Sequence, residues 1–341
     1  MLRGYSRVVT SDAVSAAVTG SRRRIVLFVA VAAAVAAAAV VGVTLVEMRG
    51  QTTTLPGSVT QPRTGVPPLE LDFGLANDQE AQTLGRAQTL YDRGKLAQAA
   101  ALFGRYHSLE ARIGSAFAAW KAGHGLGTLE QLAARHPHSA LVALHLGLAD
   151  LWAGRNGDAL LALERAAKLQ PDTPYAVDAE NLLYRKLPQG LPPIVLGIPL
   201  PSTIAKLSTR RQVAVLRREA GGPDVQAKLL YGAALWSLER PVSAEREFAA
   251  AARLAPHDPV ARTAAAVGLF TKAEPVRAFA KLGPLTAVFP HSPVVELHLG
   301  VLLIYIGERK KAAEHLRAAV ADGPHTAYAK PARQLLRALG T

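Results

Sequence analysis

Two apolar patterns divide this chain. Residues 25–46 read IVLFVAVAAAVAAAAVVGVTLV, twenty-two residues without a charge, and at ~1.5 Å rise per residue such a helix crosses a ~30 Å hydrocarbon core. Beyond residue 75 the apolar positions instead recur at i, i+3 and i+7, one stripe per helix, with polar residues between them. The first pattern predicts a transmembrane helix and the second a series of amphipathic helices. Between them, twelve of the eighteen residues 51–68 are Thr, Pro, Gly or Ser, a composition that predicts a flexible stalk. The division is therefore a basic tail over 1–24, a transmembrane helix over 25–46, a Thr/Pro-rich linker over 47–74 and a helical array over 75–341.

The array is periodic. Pro137 and Pro171 stand 34 apart, as do Pro256, Pro290 and Pro324 in turn. Between the prolines a second spacing holds, in the sets Gly147, Ala159, Leu163, Ala166, Pro171; Gly232, Ala244, Phe248, Ala251, Pro256; Ala266, Ala278, Leu282, Leu285, Pro290; and Gly300, Ala312, Leu316, Ala319, Pro324. Small residues at the first two places let paired helices approach, the large apolar residue fills the gap, and proline, lacking an amide donor, ends the second helix. Thr173–Pro174, Asp258–Pro259 and Ser292–Pro293 read as capping oxygens before a proline at the first helical position. Gly154 and Gly307 mark turns between paired helices.

This spacing resembles the tetratricopeptide repeat over about residues 75 to 340, the closest units being LGLADLWAGRNGDALLALERAAKLQP and LGVLLIYIGERKKAAEHLRAAVADGP. The resemblance implies an all-α solenoid of about seven helix–turn–helix units with a final capping helix. One unit departs from the pattern: 52 residues separate Pro171 from Pro223, so its two helices, near 174–186 and 209–220, flank an insertion. That insertion, 187–203, reads LPQGLPPIVLGIPLPST, with five prolines in seventeen residues and an apolar remainder. It is neither helix nor interior strand, and its apolar character predicts that it packs against its own solenoid or against a partner.

If the resemblance holds, the first helix of each unit lines a concave face, and its inward stripe supplies the partner-binding candidates Leu144, Leu148, Leu151, Trp152, Leu229, Trp236, Val267, Phe270, Leu297, Val301, Ile304 and Tyr305, with Leu141, Ala233, Val260 and Val294 on the same stripes. So apolar a groove suits an apolar peptide segment anchored on aromatic rings rather than an acidic peptide terminus, which calls for rows of Lys, Arg and Asn. Core packing between units, or filling of the cleft by the insertion, is the competing reading, and periodicity does not separate them.

Charge and composition narrow the function classes. The chain carries 39 Lys and Arg against 26 Asp and Glu, net +13. Arg3, Arg7, Arg22, Arg23 and Arg24 precede the apolar run against the single acid Asp12, placing the amino end in the cytoplasm, with Arg22, Arg23 and Arg24 against the anionic inner leaflet, and the array outside. A cleavable signal peptide competes, but its apolar stretch is usually about 7–15 residues. The Ala- and Arg-rich usage points to a bacterial envelope protein. With no Cys, thiol catalysis, Cys-ligated zinc and disulfides are excluded. His138, His257, His291 and His325 each follow a repeat proline, a whole unit apart, too far to converge on a metal. No nucleophile triad, carboxylate pair, phosphate loop or HExxH stands out, so no catalytic site, metal or cofactor is expected. The extracytoplasmic placement disfavours nucleic acid as a partner.

The sequence thus predicts a single-pass protein of the plasma membrane whose extracytoplasmic groove binds an apolar peptide or an envelope protein. Its rivals are a non-catalytic substrate-holding subunit of an envelope-polymer or cytochrome-maturation complex, and a structural module plugged by its own insertion.

Overall fold

A computed structural model describes residues 62–120 and 124–340. The predicted cytoplasmic tail, transmembrane helix and amino-terminal part of the linker lie outside the described residues. Among the described residues no helix is long and apolar enough to cross a membrane, and none is a strand.

The helices run in antiparallel pairs. The first half contains α1 (Gln79–Asp92) with α2 (Leu96–Phe103), α3 (Leu109–Ala118) with α4 (His124–Arg135), α5 (Ala140–Trp152) with α6 (Asn156–Leu169), and a single helix α7 (Pro174–Leu183). After the insertion come α8 (Ser202–Ala205) and α9 (Thr209–Glu219), then α10 (Val225–Ser237) with α11 (Pro241–Leu254), and α12 (Pro259–Val267) with α13 (Val276–Leu282) and α14 (Leu285–Val288). The last pair is α15 (Pro293–Tyr305) with α16 (Arg309–Asp322), closed by α17 (Ala329–Leu339). The second member of the middle pair is broken into α13 and α14 at Gly283 and Pro284, where proline has no amide to continue the ladder.

Local chemistry sets the boundaries. Asp78, Ser108, Ser139, Thr173, Asp224 and Asp258 each accept a first-turn amide of the helix that follows, satisfying donors that a helix start leaves open. Ser292, expected to do the same, makes no such side-chain bond, and Pro293 alone presets that start. Gly154 and Gly307 turn between paired helices at φ +78° and +85°, a region costly for any residue with a Cβ. Within a pair the small residue is obligatory by contact: a Cβ on Gly147 would stand 2.8 Å from Leu163 Cγ, and one on Gly232 2.6 Å from the Phe248 ring.

One expected unit does not form. The helices near 174–186 and 209–220 were read as partners, yet α7 packs on α5 and α6 while α9 packs on α10, and the two build no shared hairpin. The reason is the intervening chain, which separates them into different cores. One core joins Leu69 and Leu71 to residues through Ala179; the other joins Val195 and Leu196 to residues through Ala332. Among the described residues the array is therefore six hairpins in two groups of three, each group closed by a lone helix and the second preceded by α8 and α9, rather than seven hairpins and one cap.

The linker reading is corrected as well. The Thr/Pro-rich linker is expected to run through residue 74, but within it Pro67, Leu69, Glu70 and Leu71 are buried against the first group. This stretch alternates apolar and polar residues after its prolines, and its apolar members find a surface to cover.

The halves meet through polar contacts. Arg240 donates to the Asp172 carbonyl and the Asp72 carboxylate, each at 3.1 Å, and the Ser243 amide and hydroxyl donate to the Asp172 carboxylate. Lys272, only 3% exposed, donates through its ammonium to Asn181 and through its amide to Glu180. The Asn181 side-chain oxygen also accepts from the Gly190 amide, tying the start of the insertion to α7.

Candidate functional site

Each half holds an extended, proline-containing segment against the face built by its first helices. The first strap is VPPLELDFGL, residues 66–75, and the second is LPPIVLGIPL, residues 191–200, within the insertion. Prolines adjacent to one another favour an extended backbone and remove amide donors, so the strap's few remaining amides and its carbonyls must be satisfied from outside.

The two faces do this with a comparable arrangement, in which an aromatic donor, a histidine and a tyrosine recur. At the end of the first long helix, the Tyr91 hydroxyl donates to the Pro67 carbonyl, and in the second half the Trp236 indole donates to the Pro192 carbonyl at 2.7 Å. Three residues further along each strap, the Glu70 amide donates to His145 Nε2 at 3.2 Å and the Val195 amide donates to His298 Nε2 at 3.0 Å. From the closing helix, Tyr175 donates to the Asp72 carbonyl at 3.1 Å and also accepts from the Asp72 amide, while Tyr328 donates to the Leu196 carbonyl at 2.9 Å. The helix that carries each histidine ends in an aromatic residue that meets the strap in the second half and the chain leading into it in the first. The Trp152 carbonyl accepts from the Arg63 amide at 2.7 Å, and the Tyr305 hydroxyl donates to the Leu191 carbonyl at 3.0 Å. The Arg63 guanidinium lies 4.9 Å from the centre of the Trp152 ring, a cation–π distance.

The correspondence follows the numbering. His145 and His298, Trp152 and Tyr305, and Tyr175 and Tyr328 are each 153 apart, whereas Pro67 and Pro192 are 125 apart. Of these 28 residues, 20 lie where α8 and α9 lengthen the second half between its strap and Trp236, and 8 lie between Trp236 and His298, a stretch of 62 residues against 54 from Tyr91 to His145. The histidines sit in the same setting, Leu144-His145-Leu146-Gly147 and Leu297-His298-Leu299-Gly300. Their Nδ1 atoms face the Leu141 and Val294 carbonyls at 2.7 and 2.9 Å. A carbonyl only accepts, so Nδ1 carries the hydrogen and Nε2 is left bare to receive the strap amide; the tautomer is fixed by these partners. Burial holds His298 in its neutral form, pushing its pKa down to about 4 against a small opposing effect of the Val294 carbonyl.

Of the twelve residues predicted to line the groove, ten are buried: Leu144, Leu148, Leu151, Leu229, Trp236, Val267, Phe270, Leu297, Val301 and Tyr305. They fall in the two cores that also contain the strap residues Leu69, Leu71, Val195 and Leu196, so most of the predicted stripe is closed off from solvent. Trp152 and Ile304 keep partial exposure. Phe270 meets Tyr305 edge-on at 5.9 Å. The second strap meets Trp236 and Tyr305 directly through hydrogen bonds, while Trp152 is met by Arg63, ahead of the first strap. Sequence reasoning missed Tyr91, His145, Tyr175, His298 and Tyr328, although the repeated L-H-L-G was a visible signal. It considered His138, His257, His291 and His325 instead, and these are exposed. Among the described residues no cluster of three or more His, Asp or Glu is placed to hold a metal.

An elongated hollow of about 270 Å³ opens elsewhere, between α4, α5 and α6, beside His136, Asp150, Arg155, Leu161 and Arg165. Asp150, almost fully buried, has its Oδ1 3.1 Å from Arg155 Nε. Burial raises the Asp150 pKa to about 6, with Arg155 opposing. Arg155 also pairs with Glu130 and Asp158, so the charges there answer one another.

No protein-family model matches the chain, and no curated protein matches it in sequence. Among solved structures it is similar to the C-terminal part of a TPR repeat-containing protein from Cytophaga hutchinsonii. That likeness covers 74% of this chain and 99% of the other at 13% identity, with a TM-score of 0.24.

Proposed function

We propose that this chain is a protein–protein interaction scaffold tethered to the membrane by residues 25–46, with its helical array outside the cytoplasm. The observation that supports the reading is the pair of faces, each of which engages an extended apolar segment through its carbonyls and amides. A surface that satisfies a strand's backbone in this way is suited to capture segments of that kind. Tethering would add to this, because a groove held near membrane-bound partners works at high effective concentration.

The test is photo-crosslinking in intact cells from position 152, where the ring is partly exposed, combined with labelling of the carboxyl terminus from outside. Capture of an envelope protein together with external labelling is the expected result. A cytosolic carboxyl terminus would overturn the tethered reading.

A second reading, a self-plugged structural module, is favoured by one observation: both faces already hold a segment of the same chain. It predicts that no partner is captured at these faces in cells.

A further inference from the structure

We propose that the two faces are exchangeable receptors for one peptide pattern, apolar-Pro-Pro-[Leu/Ile]-x-Leu, and that the partner is an extended segment of another protein carrying it, which replaces the strap. This deepens the scaffold reading and rests on it.

The pattern is read from what the straps share and where they differ. The first proline is buried in both, Pro67 and Pro192, and its carbonyl takes the Tyr91 or Trp236 donor. The second proline, Pro68 or Pro193, is more open. Next comes Leu69 or Ile194, then a residue whose amide reaches the histidine, then the buried Leu71 or Leu196. At the remaining positions the straps diverge in chemistry: Glu70 against Val195, Asp72 against Gly197, Phe73 against Ile198. Two unlike sequences held through the same proline carbonyl and the same amide mean that recognition runs through the backbone, two prolines and two apolar side chains, and these can come from any chain.

The faces also dictate what is rejected. Without a strap, the Trp236 indole, the Tyr305 and Tyr328 hydroxyls and His298 Nε2 would lose their partners beside an uncovered apolar surface, and unpaired buried polar groups are costly. A replacing chain must therefore present a carbonyl at its first proline and an amide three residues later. A proline at that later place has no amide and leaves His298 unanswered. The second face adds one requirement. Gly197 has φ +67°, and a Cβ there would stand 2.6 Å from the Tyr328 hydroxyl, so the residue after the final Leu must be Gly.

The experiment uses the full chain in mild detergent and the fluorescein-labelled peptide LPPIVLGIPL, followed by anisotropy. Val195→Pro loosens the internal strap by removing the amide that His298 receives, and Leu196→Ala loosens it by trimming a buried side chain; circular dichroism checks that each remains helical. Either variant is expected to bind the peptide at least tenfold more tightly than the unaltered chain. The peptides LPPIPLGIPL and LPPIVLVIPL should bind at least tenfold more weakly than the parent; unlabelled VPPLELGFGL, the first strap with glycine at its seventh place, should compete, and VPPLELDFGL should not. Absence of uptake by both helical variants, or equal uptake of the three LPPI peptides, would overturn the proposal. So would dimerisation of a variant without peptide uptake, which would assign the face to a second copy of the chain. Failure here is separable from failure of the scaffold reading: a partner crosslinked in cells at another surface would leave that reading standing, while peptide uptake with no cellular capture would sink it alone.

Discussion

His298 Nε2 accepts a hydrogen bond from the Val195 amide, 3.0 Å away and 103 residues earlier in the chain. With Nδ1 committed to the Val294 carbonyl, the ring has no place for a second proton without setting two N–H groups against each other. The insertion is thus latched to α15 by a histidine that must stay neutral, and His145 repeats the arrangement with Glu70 in the first half.

Acid should loosen the second latch. The folded pKa of His298 is lowered to about 4 from 6.5, so at pH above about 6.5 neither state binds the proton and the group contributes no pH dependence. As pH falls from there toward 4, the unfolded chain takes up a proton that the folded one refuses, and stability drops, by roughly 3 kcal/mol at most. Urea denaturation of the chain and of His298→Gln between pH 4 and 7.5 checks this. The variant should be less stable at neutral pH yet lose less on acidification; parallel curves would refute the assignment.

Removing Arg240 should loosen the junction of the halves, which Ser243 and Lys272 still hold. Its guanidinium joins Asp72 of the first strap to Asp172 of the α6–α7 connection from the start of α11. Both charged side chains keep about a quarter of their surface open, so solvent weakens the pair and Arg240→Ala should cost about 1 kcal/mol. The distinguishing readout is hydrogen exchange, which should speed up at the amides of 69–74 while those of α15 are unchanged.

Methyl groups at the helix crossings should be expensive. Gly232→Ala drives a Cβ into the Phe248 ring at 2.6 Å, and Gly147→Ala drives one against Leu163 and 3.3 Å from the Ala159 carbonyl. Alanine is the better helix former by about 1 kcal/mol, but overpacking of a filled core costs about 1–3 kcal/mol. A net fall in thermal midpoint for both variants is expected. Gly157→Ala, whose added carbon meets nothing within 4 Å, should instead raise it.

Most of the helical array was legible because its signal is local. Gly147, Ala159, Leu163 and Pro171 state a hairpin through spacing alone, and their burial or turn positions follow from it. The grouping was not legible, because the pairing of α7 and α9 depends on where the insertion goes, and 187–203 has no period of its own. The first strap was missed for a related reason. Residues 62–74 have the Pro-rich composition of a linker, and only the surface they meet distinguishes Leu69 and Leu71 from stalk residues. The inward stripes of Trp236 and Tyr305 were correctly read as apolar, but periodicity carries no information about what covers them.

Lys272 offers a test of the seam between the halves that runs in the same pH direction as His298 but in an alkaline window. Its ammonium is buried against Asn181, and desolvation lowers its pKa to about 8 from 10.5 despite the nearby Glu180. Below about pH 8 both folded and unfolded chains carry the proton, and the folded chain bears the full cost of burying it. Between about 8 and 10 the folded chain releases that proton more readily than the unfolded one, so stability should rise with pH. Tyr305 and Tyr328, whose pKa values burial raises, reverse the trend above about 10 by keeping their protons when the unfolded chain has lost them. A thermal midpoint that climbs from pH 8 to 9.5 and then falls is the expected profile. In Lys272→Met, with a side chain of similar length and no charge, the climb should vanish. A climb that persisted in that variant would place its origin elsewhere than at this ammonium.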